Sequence, residues 1–217
     1  YSASGGAGVY LNAYYGAVSN CTVCGNGKYG IYLDYSSGSR LANNIVYADG
    51  TGDYAIYRSS TGYSLTSDRN DLYVTNGARV GYSGGDRATL SDWRTATGQD
   101  ANSISADPCF AAPELGDFHE QSVEGRYVSD GTWVCDTRHS PCIDAGDPAS
   151  VWTNEPAPNG SRINLGAYGN TEQASKSLTN QVYTIQIVSE HGVALPAAGS
   201  YTYYSGKPLT CTVSSEQ

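Results

Sequence analysis

The chain has 217 residues, enough for one full domain or for one domain and part of another. A net charge of −9 with only 12 scattered basic residues argues against nucleic acid, whose phosphates need clustered Lys and Arg. Hydrophobic residues at 39% are too many for disorder, and no stretch is apolar for long enough to span a membrane. Gly (26) and Tyr (19) dominate, while Met is absent. That balance suits short strands joined by tight turns. Tyr1 is not a natural start, so the chain reads as a piece of a longer protein, and the lack of a targeting signal in it carries no information.

Six cysteines are present, and Cys21 and Cys24 form a C-x-x-C. A zinc site would need a second close pair of ligands, and His119, His139 and His191 are dispersed. The cysteines are read as small buried fillers or structural disulfides, compatible with an oxidising compartment.

A repeat occupies the first hundred residues. Gly8-Val9-Tyr10-Leu11 returns as Gly30-Ile31-Tyr32-Leu33 and again as Ala55-Ile56-Tyr57-Arg58. Between them, Asn20-Cys21-Thr22-Val23-Cys24 returns as Asn43-Asn44-Ile45-Val46-Tyr47 and as Asn70-Asp71-Leu72-Tyr73-Val74. The offsets are 22, 25, 23 and 27 residues, each enclosing two short apolar strands separated by Gly, Ser, Asn and Asp. Such a unit cannot bury its apolar residues alone, so the coils must stack at strand spacing and line up equivalent side chains. Val9, Ile31 and Ile56 are expected in one ladder, and Thr22, Ile45 and Leu72 in another. Asn20, Asn43 and Asn70 are expected as a ladder at the turn. A leucine-rich repeat has a similar period, but its L-x-x-L-x-L signature is absent.

Thr89 to Ala96 reads as a short helix capped by Thr89, with Leu90 and Trp93 on one face to cover the coils. Ser105 to Phe110 and Asp117 to Gln121 read as strands. Arg126 to Cys135 reads as a hairpin turning at Asp130-Gly131. Ser140 to Gly169 is too rich in Pro and Gly for regular structure and is expected to wrap the end of the coil stack as a cap. Beyond Lys176, the runs Val182 to Val188, Tyr201 to Tyr204 and Leu209 to Val213 read as the opening strands of a small β-sandwich-like element, unless they pair with the coils.

These features resemble the right-handed parallel β-helix proteins of the pectate-lyase-like superfamily. Thr89-Leu90-Ser91-Asp92-Trp93-Arg94, Ser105-Ala106-Asp107-Pro108-Cys109-Phe110, Ser140-Pro141-Cys142-Ile143-Asp144-Ala145-Gly146-Asp147-Pro148 and Arg162-Ile163-Asn164-Leu165-Gly166-Ala167-Tyr168-Gly169 are similar to the terminal passage of large secreted bacterial members. The resemblance implies an all-β fold with C-terminal coils and cap over residues 1–178 and a partial β-sandwich-like element over 179–217. It also implies an extracellular or cell-surface location. It does not imply one reaction, because the fold carries lyases, hydrolases, epimerases and adhesins.

Candidate chemistry is sparse. Asp144, Asp147, Glu155 and Asn159 offer hard oxygen ligands for calcium, although their spacing is not that of an EF-hand. The plainer expectation is an Asp144–Arg162 pair, with Asp147 and Asn159 bonding backbone amides. Asp34 with Asp53, or Asp68 with Asp71, could supply the two carboxyls of a glycosidase. A lyase would need a base such as Arg40 or Arg58 beside metal-held carboxylates. No recognisable catalytic constellation assembles from them. Tyr10, Tyr32 and Tyr57 recur beside inward aliphatic residues, so they should project outward, stack, and offer contact to sugar rings. The expected function is therefore a non-catalytic segment of an extracellular β-helix protein, for adhesion or contact with a polysaccharide or cell-surface glycan. The alternative is the tail of a polysaccharide lyase or glycosidase whose catalytic coils lie upstream.

Overall fold

A computed structural model of the chain describes residues 6–178, 182–188, 193–204 and 212–214. Strands β1 (Ala7–Leu11), β2 (Ala17–Ser19) and β3 (Thr22–Val23) form the first coil, and β4 (Tyr29–Leu33), β5 (Ser39–Ala42) and β6 (Ile45–Asp49) the second. The third consists of β7 (Tyr54–Arg58), β8 (Leu65–Asp68) and β9 (Asp71–Thr75), and β10 (Arg79–Ser83) begins a fourth. Equivalent strands pair in parallel to give three sheets, β1-β4-β7-β10, β2-β5-β8 and β3-β6-β9. The short β11 (Asp86–Arg87) closes the edge of the first sheet antiparallel to β10.

Register confirms the first ladder: Val9, Ile31 and Ile56 align. Together with Leu33, Leu41, Val46, Leu72 and Val80, the two isoleucines fill the interior of the coils. The next position in that ladder is Gly81, which has no side chain to contribute. A Cβ there would lie 2.4 Å from the ring of Trp93. Trp93 belongs to α1 (Leu90–Thr97) and is fully buried, so the helix supplies the bulk that the strand omits. The helix starts where expected, with Thr89 and Asp92 forming a reciprocal capping box, and Gly98 closes it in a left-handed conformation.

The second ladder is shifted from its sequence pattern. Thr22 and Ile45 align with Asp71, whereas Val23 and Val46 align with Leu72. The turn ladder shifts likewise. Asn20, Asn43 and Arg69 take the left-handed φ of the bend, at 51°, 59° and 56°. The buried amide ladder is one residue later, at Asn44 and Asn70. The Asn44 Nδ2 donates to Asn70 Oδ1 at 2.9 Å and to the Val18 carbonyl at 2.9 Å, while its Oδ1 accepts from the Cys21 amide at 3.1 Å. Two consecutive asparagines, Asn43 and Asn44, hide this register: the first bends the chain and the second ties the coils.

The end of the stack is covered by α1 and the segment after it. Asp100 is buried there, and its carboxylate accepts from Ser67 Oγ, Asn70 Nδ2, Ser103 Oγ and Trp93 Nε1 at 2.6–3.1 Å. Ser105 to Pro108 is not a strand. Strands β12 (Phe110–Ala112) and β13 (Asp117–Glu120) pair antiparallel, as do β14 (Arg126–Ser129) and β15 (Thr132–Val134) of the expected hairpin. Asp130 and Gly131 both have positive φ, at 49° and 77°, as the tight hairpin turn requires.

Ser140 to Gly169 is irregular, as expected, but it does not close the end of the stack. It runs along the outer face of β3-β6-β9. The Ala167 amide donates to Thr22 Oγ1 at 3.0 Å, the Gly166 amide to the Asn43 carbonyl at 2.8 Å, and Cys142 meets Asp71. The reason is apolar: Ile45 points away from the coil interior and is buried only because Cys142 and Leu165 cover it.

Leu178–Gln217 forms a separate compact unit. There β16 (Val182–Ile187) pairs antiparallel with β18 (Gly199–Tyr204), and β17 (Val193–Leu195) with β19 (Thr212–Ser214). The expected strand start at Leu209 lies outside the described residues.

Candidate functional site

The tyrosines of the first sheet form one continuous surface. Tyr10, Tyr32, Tyr57 and Tyr82 occupy the same register on β1, β4, β7 and β10. Their rings stack nearly parallel, with centroids 5.4, 5.0 and 4.6 Å apart in order. Beside this column stand Tyr29 and Tyr54, stacked at 6.1 Å and meeting Tyr32, Tyr57 and Tyr82 edge-on or tilted. Lys28 lies over the ring of Tyr29 and the Arg79 guanidinium over that of Tyr54. The sequence signal named Tyr10, Tyr32 and Tyr57. Tyr82 continues it at an offset of 25 residues, but Gly81 before it breaks the aliphatic pattern that marks the repeat.

Stacking decides what this surface offers. The ring faces within the column cover each other, so the rims and hydroxyls are what face outward. Tyr10, at the column's end, is 57% exposed. The Tyr10 hydroxyl donates to Asp34, and that of Tyr54 to Asp86 at 2.8 Å. Burial raises the phenol pKa of Tyr32 and Tyr57, and burial followed by the Asp86 hydrogen bond pushes Tyr54 up to about 12. The hydroxyls therefore remain protonated donors across the whole neutral range.

The proposed calcium ligands are engaged elsewhere. Asp144 Oδ1 accepts from Ser177 Oγ at 2.7 Å; Asp147 Oδ1 accepts from the Ala149 amide, and its Oδ2 pairs with Arg40 at 3.5 Å. Glu155 Oε1 accepts from the amides of Asn164 and Asn170, both at 2.8 Å. Asn159 Nδ2 donates to the Glu155 carbonyl, and its Oδ1 accepts from the Ser161 amide. Arg162 donates to the carbonyls of Ala145 and Gly146 rather than pairing with Asp144. Among the described residues, no three of His, Cys, Asp and Glu are grouped as a metal centre requires.

The acid pairs do not assemble either. Asp34 is held by Tyr10 and Asn12, and Asp53 sits near Asp49. Asp68 accepts from the backbone and side chain of Asn102. Asp71 is fully buried beneath Cys142, whose thiol donates to it at 3.2 Å. Burial pushes the Asp71 carboxyl up to about 7. Two further acids share this condition at the packed seam. Burial raises Glu120 to about 8 and Glu155 to about 7; repulsion from Glu155 adds to the first shift, and repulsion from Asp144 to the second. Neither oxygen of Glu120 has a hydrogen-bond partner, which suits a neutral carboxyl and not a carboxylate. The five described cysteines are free thiols; Cys109 and Cys142 are buried and Cys135 is exposed.

Three parallel sheets wound from successive short strands define a parallel β-solenoid. Residues 1–94 match the family model of the right handed beta helix region, in keeping with that architecture. No curated protein and no solved structure matches the chain.

Proposed function

We propose that this chain is a non-catalytic segment of a β-helix protein that contacts a polysaccharide through its tyrosine face. The carrying observation is the column of Tyr10, Tyr32, Tyr57 and Tyr82, one ring per coil. A line of hydroxyls repeating at coil spacing suits a linear polymer that repeats its own hydroxyls. Each contact is weak, and their sum along one strand gives retention. An extracellular or cell-surface location goes with this reading. The arrangement of carboxylates agrees with a binding role. Hydrolysis by two carboxyls needs them to face each other across the scissile bond, and Asp68 and Asp71 face an asparagine and a buried thiol instead.

Co-sedimentation with insoluble polysaccharides tests the proposal. The triple variant Tyr10→Phe/Tyr32→Phe/Tyr57→Phe keeps the stacked rings and removes three hydroxyls. With each hydrogen bond contributing about 0.5–1.5 kcal/mol, retention should weaken by at least about tenfold. Equal retention of this variant and the wild-type chain would sink the reading.

A further inference from the structure

A second surface, distant in sequence from the coils, has the make-up of a ligand site. Tyr127 on β14 and Trp133 on β15 are cross-strand partners, their rings 5.6 Å apart at 78°. With Tyr168, Thr171, Glu172 and Gln173 they line an open cleft of about 640 Å³ between the hairpin and the loop that follows Gly166. That volume lies within the range of small-molecule sites.

The walls are fixed from behind. Tyr168 stacks on His119 with centroids 3.6 Å apart. His119 Nδ1 donates to Asp117 at 2.6 Å, and Asp117 also accepts from Arg126 at 3.2 Å. Arg126 then grips Asp136 through two nitrogens at 3.0 and 3.2 Å, tying together the two ends of the hairpin. The Lys176 ammonium lies 4.4 Å from the centroid of Trp133 and occupies one side of the indole. Aromatic walls held in this way lose little freedom when a ligand arrives.

The lining selects the ligand. Three aromatic rings that each carry a polar atom present flat apolar faces, and a hydroxyl, a carboxylate and an amide stand beside them. A pyranose has matching chemistry, with patches of C–H on its faces and hydroxyls at its rim. The one charged side chain of the lining, Glu172, is acidic and disfavours an anionic sugar, while the Lys176 ammonium is taken up against the indole. We infer that this cleft is a second saccharide subsite, selective for neutral sugar units and separate from the tyrosine face. It shares with the proposed function only the class of ligand.

The test uses soluble gluco-, manno-, xylo- and galacto-oligosaccharides with the full chain, read by calorimetry and by saturation-transfer NMR. At least one neutral series should bind, with saturation passing from aromatic protons to the sugar. Trp133→Ala should weaken that binding by about tenfold or more. Gln173→Ala, on an exposed residue outside any strand, should weaken it by a smaller factor without changing the thermal midpoint. The triple Tyr→Phe variant should bind the short sugars as the wild-type chain does, so loss of polymer retention and loss of cleft binding are read separately. Absence of binding by every series overturns the inference. So does equal binding by the Trp133 and Gln173 variants, or binding of tetramethylammonium in place of sugars.

Discussion

Gly81→Ala tests how the helix completes the coil ladder. The added Cβ would stand 2.4 Å from two ring carbons of Trp93 and 2.9 Å from the Ile56 carbonyl, so either the indole or the strand must move. Overpacking of this kind costs about 1–3 kcal/mol. A displaced indole also loses its 2.8 Å hydrogen bond to the buried Asp100 carboxylate, which contributes about 1.5–3 kcal/mol for a charged acceptor. Together the change costs about 2.5–6 kcal/mol, a large share of the roughly 5–15 kcal/mol that holds a domain folded. For a domain of this size the thermal midpoint should fall by about 5–24 °C. Differential scanning calorimetry reads this directly, and urea unfolding gives the free energy. Trp93→Phe separates the contributions by removing the hydrogen bond while keeping most of the ring. A Gly81→Ala protein that melts with the wild type would refute the account of Trp93 as the missing member of the ladder.

Other expected outcomes follow from the same packing. Asp71, Glu120 and Glu155 have folded pKa values of about 7, 8 and 7, above the ordinary carboxyl range. Between the unfolded and folded values the native state binds more protons, so stability is highest near pH 4 to 5 and falls as pH rises to about 8. Thermal melts across that range should show the decline, and Glu120→Gln should flatten it; a profile rising with pH would contradict the burial of neutral acids. Asn44→Ala removes a fully buried amide and leaves the Cys21 amide and Val18 carbonyl without it; a loss of about 1–3 kcal/mol or more is expected in urea. Calcium should leave the melting midpoint unchanged, because the carboxylates of Asp144, Asp147 and Glu155 already accept from protein donors. A rise on calcium addition would restore the metal site.

The coils were readable because their inward positions are aliphatic and their turns carry Gly and Asn at near-constant spacing. Val9, Ile31 and Ile56 needed nothing more. The fourth strand escaped because its ladder member is a glycine whose bulk arrives from Trp93, twelve residues on. Asn43 and Asn44 stand side by side with different duties, so the pattern aligned the third coil one residue late. The course of Ser140 to Gly169 depends on which outward side chains need cover. The sequence pattern groups Ile45 with Thr22 and Leu72 without saying which way it faces, so the need for a cover along that face does not show in it. The buried acids Asp71, Glu120 and Glu155 look like any surface carboxylate until their surroundings are known. The cleft joins Tyr127 and Trp133 to Tyr168 across the fold, and only the hairpin pair was near enough in sequence to be seen together.

Tyrosine nitration in the presence of a retained polysaccharide, mapped by mass spectrometry, tests the glycan-contact face most directly. Tyr14 and Tyr15, 71% and 83% exposed and outside the stacked column, serve as internal controls. Polymer should protect Tyr10, Tyr32, Tyr57 and Tyr82 while Tyr14 and Tyr15 react as before. Equal modification of the column with and without polymer would contradict it.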